Sequence, residues 1–208
     1  MASAKARVTT PPATTLRAPD PRPRRTRAAV EAGYVALVER RGADALNVAD
    51  LIAESGVSRS AFYQHFASLD AVGECILEQL VHGIAGRDRA ERSSSVRTGR
   101  EVARDSLVEL LRIMGEDATL YRHLLGDASV SAVRAHFVRV VSEGTRSVME
   151  LVRPGAAEAE AELIADVISG GLLIAVLRWL EADPRPEPGA HVDVFLETLP
   201  AWLVSQDA

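Results

Sequence analysis

The sequence predicts an all-α protein, and three observations support this fold class. Apolar residues recur at helical spacing almost throughout residues 24–208. No segment shows the strict alternation of apolar and polar residues that marks a half-buried strand. Hydrophobic residues make up 47% and charged residues 25% of the 208 residues, which supplies a packed core and excludes general disorder.

Composition also excludes several classes of protein. The single cysteine, Cys75, excludes an intramolecular disulfide framework and a zinc site built from cysteines. The amino terminus has no apolar segment of the kind found in secretory signals. No uninterrupted apolar run reaches the roughly 18 residues that a membrane span needs, because the segment 163–180 is broken by Asp166, Ser169 and Arg178. We therefore expect a soluble cytoplasmic protein with no membrane partner.

The charge is distributed unevenly along the chain. Residues 1–66 contain ten Lys and Arg residues against six acids, a net charge of +4. Because the whole chain carries −5, the remaining 142 residues carry −9. This asymmetry suggests that only the amino-terminal part approaches a polyanion.

The chain is expected to divide into three parts. Residues 1–23 contain five prolines and few large aliphatic residues, which predicts a disordered basic arm. Residues 24–70 form a compact helical unit, and residues 71–208 form a larger helical domain. The predicted helices cover approximately residues 24–41, 48–54, 58–65, 69–86, 101–114, 120–125, 130–152, 156–182 and 191–204.

Two short helices with a glycine-containing turn between them, behind a longer helix, are typical of a helix-turn-helix. Asn47 is expected to cap the first short helix, and Gly56 can adopt the positive φ of the turn. In the second short helix, Ser60, Tyr63 and Gln64 are expected to point away from the core, with Arg59 beside them. Hydroxyl, amide and guanidinium groups suit phosphates and base edges, so this helix is expected to enter a major groove.

The stretch NVADLIAESGVSRSAFYQHFASLDAV, residues 47–72, resembles the TetR/AcrR family of transcriptional regulators. The most specific features are the Ile-Ala of the second helix, the Gly-Val-Ser turn and the Tyr-x-His-Phe ending. The resemblance covers about residues 24–80. It implies a three-helix, helix-turn-helix DNA-binding domain with its motif at 47–66, followed by a helical domain that binds a ligand and dimerises.

The resemblance also implies which residues contact DNA. Tyr63 and His65 occupy positions that usually meet phosphates, whereas Arg59 and Ser60 are the expected base readers. Two positions depart from the family pattern, because Leu69 replaces a common lysine and Asn47 replaces the usual Thr or Ser cap. The expected DNA-binding residues are Arg24, Arg25, Thr26, Asn47, Ser58, Arg59, Ser60, Ala61, Tyr63, Gln64 and His65.

The segment 163–180 is apolar on nearly all sides, so two different surfaces must cover it. One would be its own domain and the other a second copy of the chain, to which Phe195, Leu199, Trp202 and Leu203 of the last helix could add. The alternative is a wholly intramolecular core. A homodimer would place two recognition helices about 34 Å apart, as a palindromic operator requires.

An effector pocket is expected from the family resemblance, and apolar or aromatic residues on separate helices are its candidates. They are Leu107, Leu111, Tyr121, His123, Phe137 and Trp179, with His123 as a polar anchor. The effector is expected to be a small, largely apolar molecule. We expect no cofactor, because the sequence has no Gly-rich phosphate loop. The scattered histidines lack metal-ligand spacing and no catalytic motif occurs, so neither a metal site nor an enzyme is expected.

These features together predict a ligand-responsive regulator that binds double-stranded operator DNA, more readily a repressor than an activator. One alternative is an architectural or adaptor protein with the same DNA-binding module and no effector pocket. A second is a helical enzyme whose basic helices bind an anionic substrate. A cavity of several hundred Å³ would count against the first alternative, and a sequence-specific footprint against the second.

Overall fold

A computed structural model describes residues 22–42, 46–94, 97–126 and 131–200. These residues form helices joined by short connections, with no strand among them, so the all-α prediction is confirmed. The helices are α1 (Arg22–Arg41), α2 (Val48–Ser55), α3 (Arg59–His65), α4 (Leu69–Ser94), α5 (Gly99–Glu116), α6 (Ala118–Gly126), α7 (Ser131–Val152), α8 (Glu158–Glu181) and α9 (Pro188–Glu197).

Helix α1 begins at Arg22, two residues before the expected start, and includes Pro23 in its first turn. Proline is tolerated there because the first amide groups of a helix have no intrahelical partner. Residues 22 and 23 therefore belong to a helix and not to the arm. The rest of the predicted arm, residues 1–21, lies outside the described residues.

Short polar side chains and two glycines set the ends of the amino-terminal helices. Asn47 Oδ1 accepts a hydrogen bond from the Asp50 amide at 2.9 Å, and Ser58 Oγ accepts one from the Ala61 amide at 3.1 Å. Gly42 and Gly56 adopt φ angles of 69° and 65°, which residues with a β-carbon rarely adopt. These caps fix where α2 and α3 start and how sharply the chain turns between them.

Helices α1, α2 and α3 share a small apolar core that includes Val30, Leu51, Phe62 and Phe66. Helices α1 and α2 approach closely, since a β-carbon on Gly33 would lie only 3.2 Å from the Ser55 backbone nitrogen and β-carbon. One face of α3 is therefore packed into this core, and the opposite face of α3 is exposed to solvent.

Helix α4 joins the amino-terminal unit to the larger helical part. It packs against α1 near its start and against α5 and α7 along its length. Helix α7 packs on α8, α5 packs on α9, and α6 contacts α1, α7 and α8. One continuous apolar core therefore runs through both parts of the chain.

Two predicted helix ends are wrong. Helix α4 continues past Gly86 to Ser94, because Ile84 before that glycine and Asp88 after it are both buried against the neighbouring helices. The last helix ends at Glu197 and not near residue 204, since Pro200 cannot supply an amide hydrogen and restricts Leu199 before it. Trp202 and Leu203 lie outside the described residues.

Among the described residues, α8 is long and apolar enough to cross a membrane, by length and composition alone. The sequence analysis was therefore wrong to expect that the charged residues inside this segment would make it too polar for a membrane span. One face of α8 is buried against α7 and α6, and Ala165, Val176 and Leu180 are fully enclosed there. The core helix of a globular domain has this same composition.

Candidate nucleic-acid interface and apolar cavity

Helix α3 presents a polar face to solvent. Phe62 is fully buried beneath it, whereas Arg59, Ser60 and Gln64 are exposed and Tyr63 keeps 46% of its surface accessible. Helical spacing predicted this division, because Phe62 and Phe66 lie four residues apart on the buried side. The exposed face combines a cation, a hydroxyl, a phenol and an amide, the groups that hydrogen-bond to phosphates and base edges.

Arg59 and Tyr63 lie together on this face. The Arg59 guanidinium carbon is 5.5 Å from the centre of the Tyr63 ring, within the range of a cation–π interaction. The Tyr63 ring in turn meets Phe62 edge-on at 5.2 Å between ring centres. The buried phenylalanine therefore orients the exposed tyrosine, and the tyrosine orients the arginine.

The arginines of α1 fall into two groups. At its end, Arg40 donates two hydrogen bonds to the Glu54 carboxylate and Arg41 contacts Asp50, which ties α1 to α2. The Arg40 hydrogen bond lowers the pKa of Glu54 below its usual value. At its start, Arg24 and Arg25 are exposed and form no ion pair with a described carboxylate. Their charges remain available to an external anion.

The other residues expected to contact DNA are less available to an external partner than those on the open face of α3. Asn47 and Ser58 are exposed, but their side-chain oxygens are occupied as helix caps. Thr26 is partly buried and its hydroxyl donates to the Arg22 carbonyl at 3.2 Å. Ala61 and His65 are partly buried. Arg59, Ser60, Tyr63 and Gln64 thus form the open surface of the set.

A cavity of about 150 Å³ lies in the larger helical part, between α4, α5, α7, α8 and α9. Its walls are mostly aliphatic, with Leu107, Leu110 and Val148 among them. Asp88, Arg92 and Ser106 supply polar groups to its lining. The sequence analysis missed these three. The i, i+4 spacing on α4 could have identified Asp88 and Arg92, but the predicted helix stopped at Gly86, and no such signal marks Ser106 of α5.

The structure does not bring the six expected pocket residues together. Of the six, only Leu107 lines the 150 Å³ cavity. Leu111 lines a separate and much smaller gap, which Leu107 also borders. Phe137 is a fully buried core residue, and the Trp179 indole donates to the Pro186 carbonyl at 2.8 Å. Tyr121 is buried in α6, and burial together with Asp117 raises the pKa of its phenol to about 12.

His123 serves a different contact from the one expected. Its Nε2 lies 3.1 Å from the Tyr34 hydroxyl, in a buried hydrogen bond between α6 and α1. Burial raises the pKa of Tyr34 well above its ordinary value, with Asp70 adding to the effect. The pair links the amino-terminal unit to the larger helical part at a point 89 residues apart in sequence.

Helix α8 leaves an apolar stripe uncovered on the side away from α7. Leu163 and Val167 are each 66% exposed and Ile174 is 57% exposed, and Val194 of α9 is exposed as well. A β-carbon on Gly170 would meet nothing within 4 Å in the chain. Phe195 and Leu199, by contrast, line the cavity. An uncovered stripe of this length is unusual on a monomer.

Among the described residues, no group of histidine, cysteine and acidic side chains could hold a metal ion. Cys75 is partly buried and its thiol donates to Glu31 at 3.3 Å. Burial is the main reason that its pKa is raised, which disfavours the reactive thiolate.

The amino-terminal helices match a known family. Residues 33–72, from the middle of α1 to the start of α4, match the family model described as bacterial regulatory proteins, tetR family. A comparison with curated protein sequences finds no match.

Solved structures share the fold over most of the chain. Thermus thermophilus FadR, a TetR-family transcriptional repressor in complex with lauroyl-CoA, superposes with a TM-score of 0.62 at 18% identity, covering 88% of this chain and 97% of that one. RolR in complex with resorcinol gives 0.60 at 18%, covering 86% and 89%. Pseudomonas aeruginosa NalD, the secondary repressor of the MexAB-OprM multidrug efflux pump, gives 0.56 at 14%, covering 91% and 100%.

The amino-terminal helices form a helix-turn-helix in which α3 presents an exposed polar face. Residues 33–72 thus match the tetR family model, as the resemblance at residues 47–72 predicted, and the chain as a whole shares the fold of these solved structures.

Proposed function

We propose that the protein is a homodimeric repressor that binds an operator through α3 and is released by a small, largely apolar effector. The observation that carries the proposal is the polar face of α3, which holds Arg59 and Tyr63 outside the globule. Neither this face nor Arg59 is engaged by another described part of the chain. A rigid helix with such a face fits the major groove.

The amino-terminal arginines supply the non-specific part of the affinity. Arg24 and Arg25 lie at the start of α1 without described carboxylate partners, so each can neutralise a phosphate. The acidic remainder of the chain is repelled by the same phosphates, which orients the protein on DNA.

Dimerisation follows from the uncovered stripe of α8. Burying Leu163, Val167 and Ile174 against a second copy removes apolar surface from water at about 25 cal/mol per Å². Two α8 helices, with α9 beside each, can form a four-helix interface. The two α3 helices then meet two half-sites of a palindrome.

The cavity between α4 and α8 is the proposed effector site. Helix α4 lines it and also packs against α1, so a ligand there can bias the position of α3. Its mostly apolar walls suit a largely apolar ligand. Among the similar structures, FadR is in complex with lauroyl-CoA and RolR with resorcinol, two ligands with apolar bodies.

Binding to DNA from upstream of the protein's own gene tests the role of α3. We expect Arg59→Ala to cost about 1–3 kcal/mol of binding free energy and to relax base preference, since a base-reading contact is lost. The matched control is Arg89→Ala, an exposed arginine on α4 about 30 Å along the helix from Leu69. Fluorescence anisotropy with specific and scrambled duplexes measures both effects. Equal losses for the two variants would reject the assignment.

A second candidate function is an architectural DNA-binding protein without an effector. The 150 Å³ cavity favours it in one respect, because it is smaller than the several hundred Å³ typical of ligand pockets. If no small molecule changes operator affinity while DNA binding and bending persist, this second function replaces the first.

A further inference from the structure

Arg92 is one of the residues that line the cavity between α4, α5, α7, α8 and α9, and one nitrogen of its buried guanidinium has no hydrogen-bond partner among the described residues. The Arg92 side chain is 6% exposed. Its Nε donates to Asp88 Oδ1 at 2.5 Å and its Nη2 to Asp88 Oδ2 at 3.4 Å. Arg92 Nη1 is buried and has no hydrogen-bond partner among the described residues.

An unsatisfied buried donor on a charged group is costly and rare in a native protein. Because Arg92 Nη1 has almost no accessible surface, a small shift of the side chain must bring it to the cavity, where an acceptor on a bound molecule would restore the missing hydrogen bond. Charged donors of this kind form stronger hydrogen bonds than neutral ones. The guanidinium is therefore a place where a ligand can gain affinity and orientation.

The charge around Arg92 restricts the kind of acceptor. Asp88 already neutralises the guanidinium and also accepts a hydrogen bond from Ser106 Oγ at 3.1 Å. A ligand carboxylate would place a second negative charge beside Asp88 in an apolar enclosure, where such repulsion is poorly screened. An uncharged oxygen meets no such repulsion.

The cavity walls and volume restrict the rest of the ligand. Val81, Ile84, Leu107, Leu110, Val148 and Leu172 offer only hydrocarbon surface. An apolar cavity of about 150 Å³ is large enough to hold a benzene molecule. The ligand body is accordingly about six or seven carbons, most compactly a single ring.

We propose that this cavity selects a small uncharged molecule with a compact apolar body and one carbonyl-type oxygen, which accepts a hydrogen bond from Arg92 Nη1. The proposal rests on the effector site proposed above and adds the chemical class of its ligand. Anionic ligands of the same size are disfavoured by Asp88, and cationic ones because an ammonium offers Arg92 Nη1 no acceptor.

Four probes of one shape test the proposal directly. They are cyclohexanone, the isosteric hydrocarbon methylenecyclohexane, cyclohexanecarboxylate and cyclohexylammonium. Amide shift titrations of the full-length protein by NMR measure each affinity and report whether cavity residues respond. We expect cyclohexanone to bind at least tenfold more tightly than the other three, with the largest shifts near Arg92.

Two variants separate the hydrogen bond from simple packing. Arg92→Lys keeps a positive charge for Asp88 but removes Nη1, and we expect it to abolish the tenfold preference for cyclohexanone over methylenecyclohexane. Arg89→Lys, on an exposed face of the same helix, should keep the preference. Tighter binding of the carboxylate, no binding of any probe in the cavity, or an unchanged preference in Arg92→Lys would each overturn the proposal.

The same titrations distinguish this proposal from the regulatory one, because they need no DNA. If cyclohexanone binds with the expected preference but leaves operator affinity unchanged, the ligand class stands and the effector role fails. If another molecule releases the operator while cyclohexanone shows no preference, the effector role stands and the ligand class fails.

Discussion

Two tyrosines of the amino-terminal helices place the same hydroxyl in opposite environments. Tyr63 lies on the open face of α3 with nearly half of its surface exposed. Tyr34 is buried in α1 and shares a 3.1 Å hydrogen bond with His123 of α6. Replacing each tyrosine by phenylalanine removes the same single oxygen atom. The two variants therefore compare a hydroxyl that contacts DNA with one that stabilises the fold.

Tyr63→Phe and Tyr34→Phe are expected to act on different properties. Tyr63→Phe should weaken binding to all DNA sequences alike, because a phosphate contact carries no base information, and should leave the free energy of unfolding unchanged. Tyr34→Phe should lower the free energy of unfolding by about 1–3 kcal/mol, because it leaves buried His123 without this partner. Urea unfolding and DNA titrations measure the two quantities.

The opposite pattern would contradict the assignments of these residues. If Tyr63→Phe destabilised the fold, its hydroxyl would serve the globule and not a ligand. If Tyr34→Phe left the stability unchanged, the hydrogen bond to His123 would contribute nothing to the link between α1 and α6.

At the level of single residues, the sequence predicted which side of a helix a residue occupies better than it predicted which residues of other helices it meets. The spacing of Phe62 and Phe66 was enough to identify the exposed face of α3, because a helix fixes which residues share a side. The lining of the cavity depends instead on how α4, α5, α7, α8 and α9 pack together. No local pattern distinguishes Phe137, which is core, from Leu110, which lines the cavity.

At the level of elements, α8 is the helix whose composition most needs a partner. Its inner face packs against α7, and its outer stripe of Leu163, Val167 and Ile174 faces away from the chain. This two-sided character was predicted from the sequence, because few positions in residues 163–180 are polar. The proposed cover for the outer side is the same helix of a second copy.

Val167→Glu is expected to dissociate the proposed dimer, since two symmetry-related carboxylates would meet in an apolar interface. The control is Ala132→Glu, which adds the same charge at an exposed position at the start of α7. Sedimentation velocity at micromolar concentration measures the mass of each variant. A wild-type protein that sediments as a monomer, or a Val167→Glu protein that stays dimeric, would contradict the role of this face.

Helix ends were predicted where a local signal dominates and missed where packing or a competing signal does. The predicted cap at Asn47 is confirmed, because a short side chain satisfies a nearby amide wherever the rest of the chain lies, and Ser58 and Ser68 cap the next two helices in the same way. Thr98 and Glu101 form a complete capping box that set the start of α5 two residues earlier than expected. Gly86 does not end α4, because buried residues on either side of it keep the helix packed against its neighbours.

At the level of the whole molecule, two connections join the amino-terminal helices to the cavity. Helix α4 passes from Leu69, next to α3, to the cavity residues Asp88 and Arg92. Helix α1 contacts α6 through Tyr34 and His123. A ligand that fits one arrangement of these helices better than another would shift the spacing of the two α3 helices in a dimer.

Such coupling must be reciprocal. If a cavity ligand weakens operator binding tenfold, saturating operator must weaken binding of that ligand tenfold, because both effects are the same coupling free energy. Isothermal titration calorimetry of cyclohexanone with free protein and with the protein–operator complex measures the second factor. If cyclohexanone weakened operator binding but bound the cavity equally well with and without operator, it would act on DNA binding through a second site outside the cavity.

The most direct test of the central claim is a hydroxyl-radical footprint of the wild-type protein on DNA upstream of its own gene. A dimer that reads DNA with two α3 helices should protect two half-sites whose centres lie about one helical turn, 10–10.5 base pairs, or a multiple of it apart. The protection should disappear for Arg59→Ala and persist for Arg89→Ala. A single protected tract, or protection that persists in Arg59→Ala, would contradict the assignment of α3 as a duplicated reading surface.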